Sequence, residues 1–486
     1  MSEIHLQRHP ILLSPECARV IIRPFVPASA QSIANIIGRA LALSEDEVAE
    51  ELAILHQEFD SRHLDIEGPW MRHYQSLLRP HVFTQKALSK PRELLVGALF
   101  SGEYALESAA LFNPSIVPHP DQSGVPEGAL RFAMSLRATG EGHISSIEFR
   151  AGTISPNGSI ELEPTSRHVT MPELLPNPTY DKKTFELKFH EMGFDNDYAQ
   201  AILAPLSETF SRNDLEKSTG TVSLKNQLWT NDLTRTLECV QWLADSNYEL
   251  SFSPSLALSE RIIFPVSANE SHGIEDARFV RFSEDDGSVM YYATYTAYNG
   301  LTILPQFIET ADFLNFRVIT LNGTAVQNKG MALFPRRIDG RYAMLSRQDD
   351  ENLFVMFSDN LHYWSDPQLL VRPAEIWESV KVGNCGSPLE TPEGWLVITH
   401  GVGPMRKYCI GAVLLDLHDP TKIIGRLREP LLCPEGTERE GYVPNVVYSC
   451  GSLLHRDQLI LPYAMSDKAT SISSVRLDEL LAALMG

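Results

Sequence analysis

From residue 28 to about residue 98 the apolar positions recur at the spacing of one helix face, as in Ile33, Ile36, Ile37, Ala40 and Leu41. A second helix is predicted from Ser44, whose hydroxyl can cap the backbone while Glu47 reaches back, and it continues through Val48, Leu52 and Leu55. At Leu111-Phe112-Asn113-Pro114-Ser115 the pattern changes to short β-type runs, including 130–137 and 144–149, parted by Gly and Pro turns. Between about 155 and 253 lies a partly helical interruption, with helical spacing over 198–210 and 233–243. The β pattern then returns in short runs at 289–298, 342–347, 353–357, 395–399, 409–416, 443–448 and 458–463, before a closing helix over 477–485. Strand groups about 40–50 residues apart, with no helices between them, favour a propeller over a sandwich or a parallel α/β fold. The expected organisation is a helical N-terminal extension over 1–105 and a β domain over 106–486, with a partly helical insertion at about 155–253. That insertion reads as either a subunit contact or a rim over a site.

The chain has 486 residues, 43% of them hydrophobic and 21% charged, which is the make-up of a globular protein with a sizeable core. Its formal net charge of −21 argues against general affinity for nucleic acid or an anionic membrane, so any positive cluster needs a local reason. The start, Met1-Ser2-Glu3-Ile4-His5, carries no basic segment before an apolar run, and no stretch approaches the ~20 apolar residues of a membrane span. Six cysteines, Cys17, Cys239, Cys385, Cys409, Cys433 and Cys450, are scattered without metal-ligand or disulfide-framework spacing. His56, His63, His73 and His81 likewise lack ligand spacing. A cytoplasmic protein with reduced thiols and no metal or organic cofactor is the expectation. A homo-oligomer is compatible with the helical additions.

The chemistry centres on His272-Gly273-Ile274-Glu275-Asp276-Ala277-Arg278, where adjacent carboxylates and an arginine meet at the start of a β-rich run. By itself a Glu-Asp pair at a strand entry is more often a solvated turn. Further stretches downstream change its weight. Asn328-Lys329 precedes Leu333-Phe334-Pro335, and Tyr342 leads a strand to Arg347. Lys381-Val382-Gly383 leads through Glu393-Gly394-Trp395 to His400-Gly401; Tyr408 follows, and Tyr463 with Asp467 closes the series. Lys, Arg, Lys, His and Tyr converging on one place would make an anion site inside an acidic protein.

In this order, Phe112-Asn113-Pro114, Leu136-Arg137-Ala138, Gly273-Ile274-Glu275-Asp276, Leu333-Phe334-Pro335, Gly394-Trp395-Leu396 with His400-Gly401, and Pro444-Asn445-Val446-Val447 resemble glycoside hydrolase family 130. That family comprises mannoside phosphorylases and related β-mannosidases built as five-bladed β-propellers. The resemblance covers roughly 111–149 and 256 to the C-terminus. It implies that Asp276 is the catalytic acid and that Lys329, Arg347, Lys381, His400 and Tyr408 hold inorganic phosphate. It further implies that Asn113, Arg137, Arg278 and Asp467 line the mannose site. The chain has Ala277 where the family usually has Pro, and Lys329 where Arg is frequent.

An inverting hydrolase needs a second carboxyl, about 6.5–9.5 Å from the acid, to activate water. A phosphorylase needs only the acid and a cationic cradle, because phosphate is already a nucleophile. Retention of the phosphate set therefore favours a β-mannoside phosphorylase that inverts the anomeric centre of a short β-mannoside and releases α-mannose 1-phosphate. The alternatives are a β-mannosidase with Glu390, Glu393, Glu438 or Glu440 as base, and a non-catalytic carbohydrate-binding propeller.

Overall fold

The computed structural model describes residues 4–78, 88–225, 230–301 and 303–486; His81 and the first three residues lie outside it. The N-terminal part is helical, with helices Ala30–Ala42, Glu45–Phe59, Glu67–Leu78 and Lys90–Leu99. The expected capping box is present: Glu47 N–H donates to Ser44 Oγ at 3.3 Å, and Ser44 N–H donates to Glu47 Oε2 at 2.7 Å. Ile33, Ile37 and Ala40 turn inward against Tyr74, Leu77, Val96 and Phe100.

The remainder is rich in antiparallel strands, taken below in five consecutive groups, of which the first two are joined into one sheet where Gly273 pairs with Ser145 in parallel. The first holds Ala110–Pro118, Leu130–Thr139, Ser145–Ile154 and Ile160–Leu162. The second holds Gly273–Ser283, Val289–Tyr298, Ile303–Thr310 and Asn315–Thr320. In the third are Ala332–Leu333, Tyr342–Ser346, Leu353–Ser358 and Gln368–Val371. The fourth comprises Lys381–Asn384, Gly394–Val402, Tyr408–Leu415 and Ile423–Arg426. Val447–Tyr448, Gln458–Met465 and Ala469–Arg476 form the fifth, together with Gln7–Arg8 from the chain's start.

Neighbouring groups bury shared apolar cores. Phe149 of the first meets Phe279 of the second, Phe282 joins Met344 and Trp364, Phe334 joins Trp395, and Leu396 joins Leu461. Leu111 and Phe132 of the first group pack with Ile460 and Ile472 of the fifth. The packing therefore returns on itself, and the main chain seals the junction where Cys450 N–H donates to Pro114 O at 2.8 Å.

Three boundaries differ from expectation. The N-terminal extension is not wholly helical, because Gln7–Arg8 supplies an outer strand that pairs with Ser474 and Ser473. The insertion is narrower than 155–253: Ile160–Leu162 completes the first sheet and Tyr248–Ser251 extends the second beside Asn315–Thr320. Its helices, Lys182–Glu191, Asp197–Leu203, Arg212–Lys225 and Asn231–Ser246, enclose a core of their own around Phe185, Ile202 and Leu243. The helix expected over 198–210 stops at Leu203: Ala204 still has helical backbone as its cap, and Pro205 has no N–H to continue the ladder. Thr209–Ser211 then pairs as a strand with Thr179–Asp181.

Candidate active site

The first strand of each group carries or directly follows a polar residue, and these residues come together. Asn113 lies on the first strand of the first group and Asp276 with Arg278 on that of the second; Lys329 precedes the third, Lys381 opens the fourth and Tyr448 belongs to the fifth. The leading strands are tied laterally, as where Phe279 N–H donates to Ser115 Oγ at 3.0 Å.

Asp276 sits in a β-bulge, where the register against Val289–Tyr298 slips between Glu275 and Arg278. Its φ of 56° is left-handed, which turns the side chain out of the strand's alternation. Asn113 occupies a matching bulge between Phe112 and Ser115, with φ of 50°. Asn328, Asp350, Asn445 and Asp467 are left-handed as well. Such backbone is tolerated by Asn and Asp more than by other non-glycine residues.

Asp276 is 7% exposed, and its Oδ1 accepts from Asn113 Nδ2 at 2.6 Å and Arg137 Nη1 at 3.4 Å. Arg137 also donates to Glu275 Oε1 at 2.6 Å and Ser145 Oγ at 2.9 Å, and it lies over the Phe112 ring. Lys329 Nζ donates to the other oxygen of Glu275 at 3.2 Å. Burial alone would raise the Asp276 pKa, but Arg137, Lys329, Arg278 and the Asn113 amide outweigh it and hold the carboxyl down at about 2. Asp467 shows the opposite balance. Burial and the charge of Asp276 push it up to about 6 against the pull of Arg137 and Arg406.

Arg278 lies in the interior, donating to the Asp276 main-chain carbonyl at 2.9 Å and to the Tyr448 hydroxyl at 2.7 Å. The Tyr448 ring meets His400 edge-on at 4.9 Å, and Tyr408 stacks parallel to His400 at 6.1 Å. His400 is held well below its ordinary pKa by burial, then by Arg347 and Arg278. Arg347 Nη1 lies 3.4 Å from His400 Nε2; because Arg can only donate, that nitrogen is the acceptor of a neutral imidazole. The Asp350 carboxylate bridges the two remaining cations, 3.1 Å from Arg347 Nη2 and 2.7 Å from Lys381 Nζ. All ten residues singled out from the sequence thus fall in one connected network, with Asp467 joined to it through its electrostatic interaction with Asp276.

Several buried polar atoms here have no partner within the described residues: Asn113 Oδ1, Arg278 Nε, Arg347 Nε, Asn384 Oδ1 and Ser387 Oγ. Their concentration at one place is a mark of a ligand site. A cavity of about 1260 Å³ lies elsewhere, in the insertion between Asn196 and Asp232, so converging charge rather than volume identifies the site. Tyr448 is a member that the sequence reading did not single out; Glu275 entered that reading only as the carboxylate beside Asp276, and Asp350 was not placed in the site. Of the bases considered for a hydrolase, Glu390 is paired with Arg336 at 2.7 Å, and Glu438 accepts from the Tyr463 hydroxyl at 2.7 Å and pairs with Arg8 at 3.0 Å. Glu393 and Glu440 are exposed. Among the described residues no cluster of His, Cys, Asp and Glu is placed to hold a metal, and no helix is long and apolar enough to cross a membrane.

Comparison with known proteins gives this constellation a context. Residues 255–485 match the glycoside hydrolase family 130 model described as β-1,4-mannooligosaccharide phosphorylase. The chain is 36% identical over 228 residues to the 1,2-β-oligomannan phosphorylase of Thermoanaerobacter sp. (strain X514), which spans 45% of this chain and 75% of that protein. The chain belongs to glycoside hydrolase family 130. Another relative, the β-1,2-mannobiose phosphorylase of Listeria innocua, is 30% identical over 227 residues, covering 45% of this chain and 62% of the relative. The solved structure of the Listeria innocua enzyme with β-1,2-mannobiose is similar over 77% of this chain and 92% of that one, at 22% identity and a TM-score of 0.46. Asp276 and the 329–467 set all fall within the region matched by the family model, whereas Asn113 and Arg137 lie before it.

Proposed function

We propose that this family 130 protein is a β-mannoside phosphorylase, in which phosphate displaces the sugar beyond the mannosyl unit with inversion and yields α-mannose 1-phosphate. The observation that carries the reading is the cation group of a chain of net charge −21: Lys329 acts on the buried Asp276, while Arg347 and Lys381, joined through Asp350, act on His400. Asp276 delivers a proton to the leaving oxygen, directly or through a substrate hydroxyl. Phosphate is held by Lys329, Arg347 and Lys381 with the Tyr408 hydroxyl, while His400 keeps Arg347 in place. Asn113, Arg137 and Asp467 line the mannose site, and Arg278 acts through the Asp276 backbone that it supports. Phosphate is a co-substrate, and no organic cofactor or metal enters the scheme. The return of the packing from the fifth strand group to the first supports reading the β part as a five-bladed propeller with the site at its centre.

The low pKa of Asp276 adds an order of events. In the ligand-free site the carboxyl is ionised at neutral pH and is no acid. A bound phosphate dianion offsets the field of the cations, so the Asp276 pKa rises as phosphate binds and the acid becomes competent when its nucleophile is present. Asp467, a second carboxyl in the electrostatic reach of Asp276, is the feature that favours a hydrolase as the second reading.

The deciding experiment follows sugar release from β-1,2- and β-1,4-mannobiose with and without inorganic phosphate, separating mannose from mannose 1-phosphate. Mannose 1-phosphate formed only with phosphate is the expected result. Equal release of free mannose in both conditions overturns phosphorolysis in favour of hydrolysis, and no product from either sugar overturns the β-mannoside assignment.

A further inference from the structure

Two cysteines far apart in sequence are brought into contact next to this site. Ile410 and Leu432 exchange both backbone hydrogen bonds, Ile410 N–H to Leu432 O at 2.8 Å and Leu432 N–H to Ile410 O at 3.1 Å. The pair one step along, Cys409 and Cys433, is therefore a non-hydrogen-bonded pair across antiparallel backbone, with Cα atoms about 4.5 Å apart and side chains on one face. That spacing falls within the range a disulfide spans, about 4.4–6.8 Å. Both cysteines are free thiols, and their sulfurs lie 2.7 Å apart.

The surroundings make one thiol the reactive partner. Cys409 is 2% exposed, whereas Cys433 is half-buried. Both line a cavity of about 450 Å³, together with Lys407, Trp377, Pro404 and Pro430, so a small reagent can reach the sulfurs. The Cys409 thiol and the Lys407 ammonium hold Cys433 at about 7 against burial, while Cys409 is pushed up, first by its contact with Cys433 and then by burial. Arg8 Nη2 donates to the Cys433 carbonyl at 2.9 Å and fixes the loop that carries it.

We propose that Cys409 and Cys433 form a reversible thiol–disulfide site, oxidised by a small hydroperoxide and restored by a dithiol. The Cys433 thiolate attacks the peroxide, forming an S–O bond as O–O breaks and giving a sulfenic acid, while the departing hydroxide or alkoxide takes up the proton that the Cys433 thiol released and leaves as water or an alcohol. The Cys409 sulfur then attacks Cys433, forming S–S as S–O breaks, and the departing hydroxide leaves as water with the Cys409 proton. Two thiols lose two electrons and two protons, and the peroxide is reduced. The bridge closes one residue from Tyr408, whose ring stacks on His400, and thus beside the candidate phosphate cradle.

The test treats the full chain with a few equivalents of hydrogen peroxide, then maps its peptides without reduction. Cys409 and Cys433 peptides joined within one chain, two hydrogens lighter than their sum and separated by dithiothreitol, are expected. In Cys409→Ser the sulfenic acid on Cys433 persists, so labelling by dimedone at that residue rises at least about tenfold over the wild type. Where Cys409→Ser does not fold, Cys433→Ser serves, with Cys409 staying reduced under the same peroxide. Wild-type chains in which both thiols remain alkylatable overturn the proposal. So does Cys433 advancing to sulfinic acid without a bridge, or linkage only between chains.

Discussion

At the scale of single residues, the site combines carboxyls whose environments push them apart. Asp276→Asn removes the proton donor while keeping the Asn113 and Arg137 contacts sterically filled; kcat should fall by about 10²–10⁴ with sugar binding retained by calorimetry. Turnover that survives the change removes Asp276 as the acid. Tyr448→Phe takes away the acceptor of a buried arginine donor, which should cost about 1–3 kcal/mol in urea unfolding and slow turnover as well. An unchanged midpoint would take Tyr448 out of the supporting network. Asp467 gives a pH signature. Between its ordinary value near 3.8 and its folded value of about 6, the folded chain keeps a proton that the unfolded chain has lost, so stability falls as pH rises through that window. Asp467→Asn should therefore stabilise by on the order of 2–3 kcal/mol at neutral pH and little at about pH 3.5. An equal gain at both would contradict the raised pKa.

At the scale of elements, the strands are positioned by close backbone contacts that leave no space for a side chain. Gly394 opens the strand that carries His400 with φ of 152°, and a Cβ there would lie 2.2 Å from the Leu415 carbonyl oxygen. Gly394→Ala should destabilise by more than about 1 kcal/mol and disturb turnover through the fourth group. Gly38, inside helix Ala30–Ala42 with open space around it, supplies the contrast: Gly38→Ala should stabilise by about 0.5–1 kcal/mol. Thermal melts of the two variants shifting in the same direction would refute this account. The helical runs and the Ser44 capping box were legible because they depend on neighbours within a few residues. The bulges at Asn113 and Asp276 were not, since a bulge is defined by the partner strand's register and not by the bulged strand alone.

At the scale of the whole molecule, the chain's start completes its last sheet. Gln7–Arg8 pairs with Ser474 and Ser473, Leu13 exchanges bonds with Thr470, and Arg8 reaches Glu438. Removing residues 1–13 should lower the melting temperature and leave the edge strand Ala469–Arg476 open to association, seen as concentration-dependent aggregation on heating. A truncated chain with unchanged melting and monodispersity would show that this strand closes nothing. The helical insertion stands differently, with its own core around Phe185, Ile202 and Leu243.

Features that are local or ordered along the chain could be read from the residues alone: period-2 runs, helix faces, caps, and the succession of motifs from Asn113 to Asp467 that resembles family 130. All ten candidate residues were nameable from that succession, and the structure joins them in one network. Only the tertiary structure decided the partnerships. Glu275 holds Arg137 and Lys329, Tyr448 receives Arg278 from 170 positions away, and Asp350 bridges Arg347 and Lys381. Cys409 and Cys433, read as scattered, are cross-strand neighbours. The physical reason is common to all of these: the packing of successive sheets sets which distant side chains meet, and the period-2 pattern of a strand says which face is buried but not which residues lie across from it.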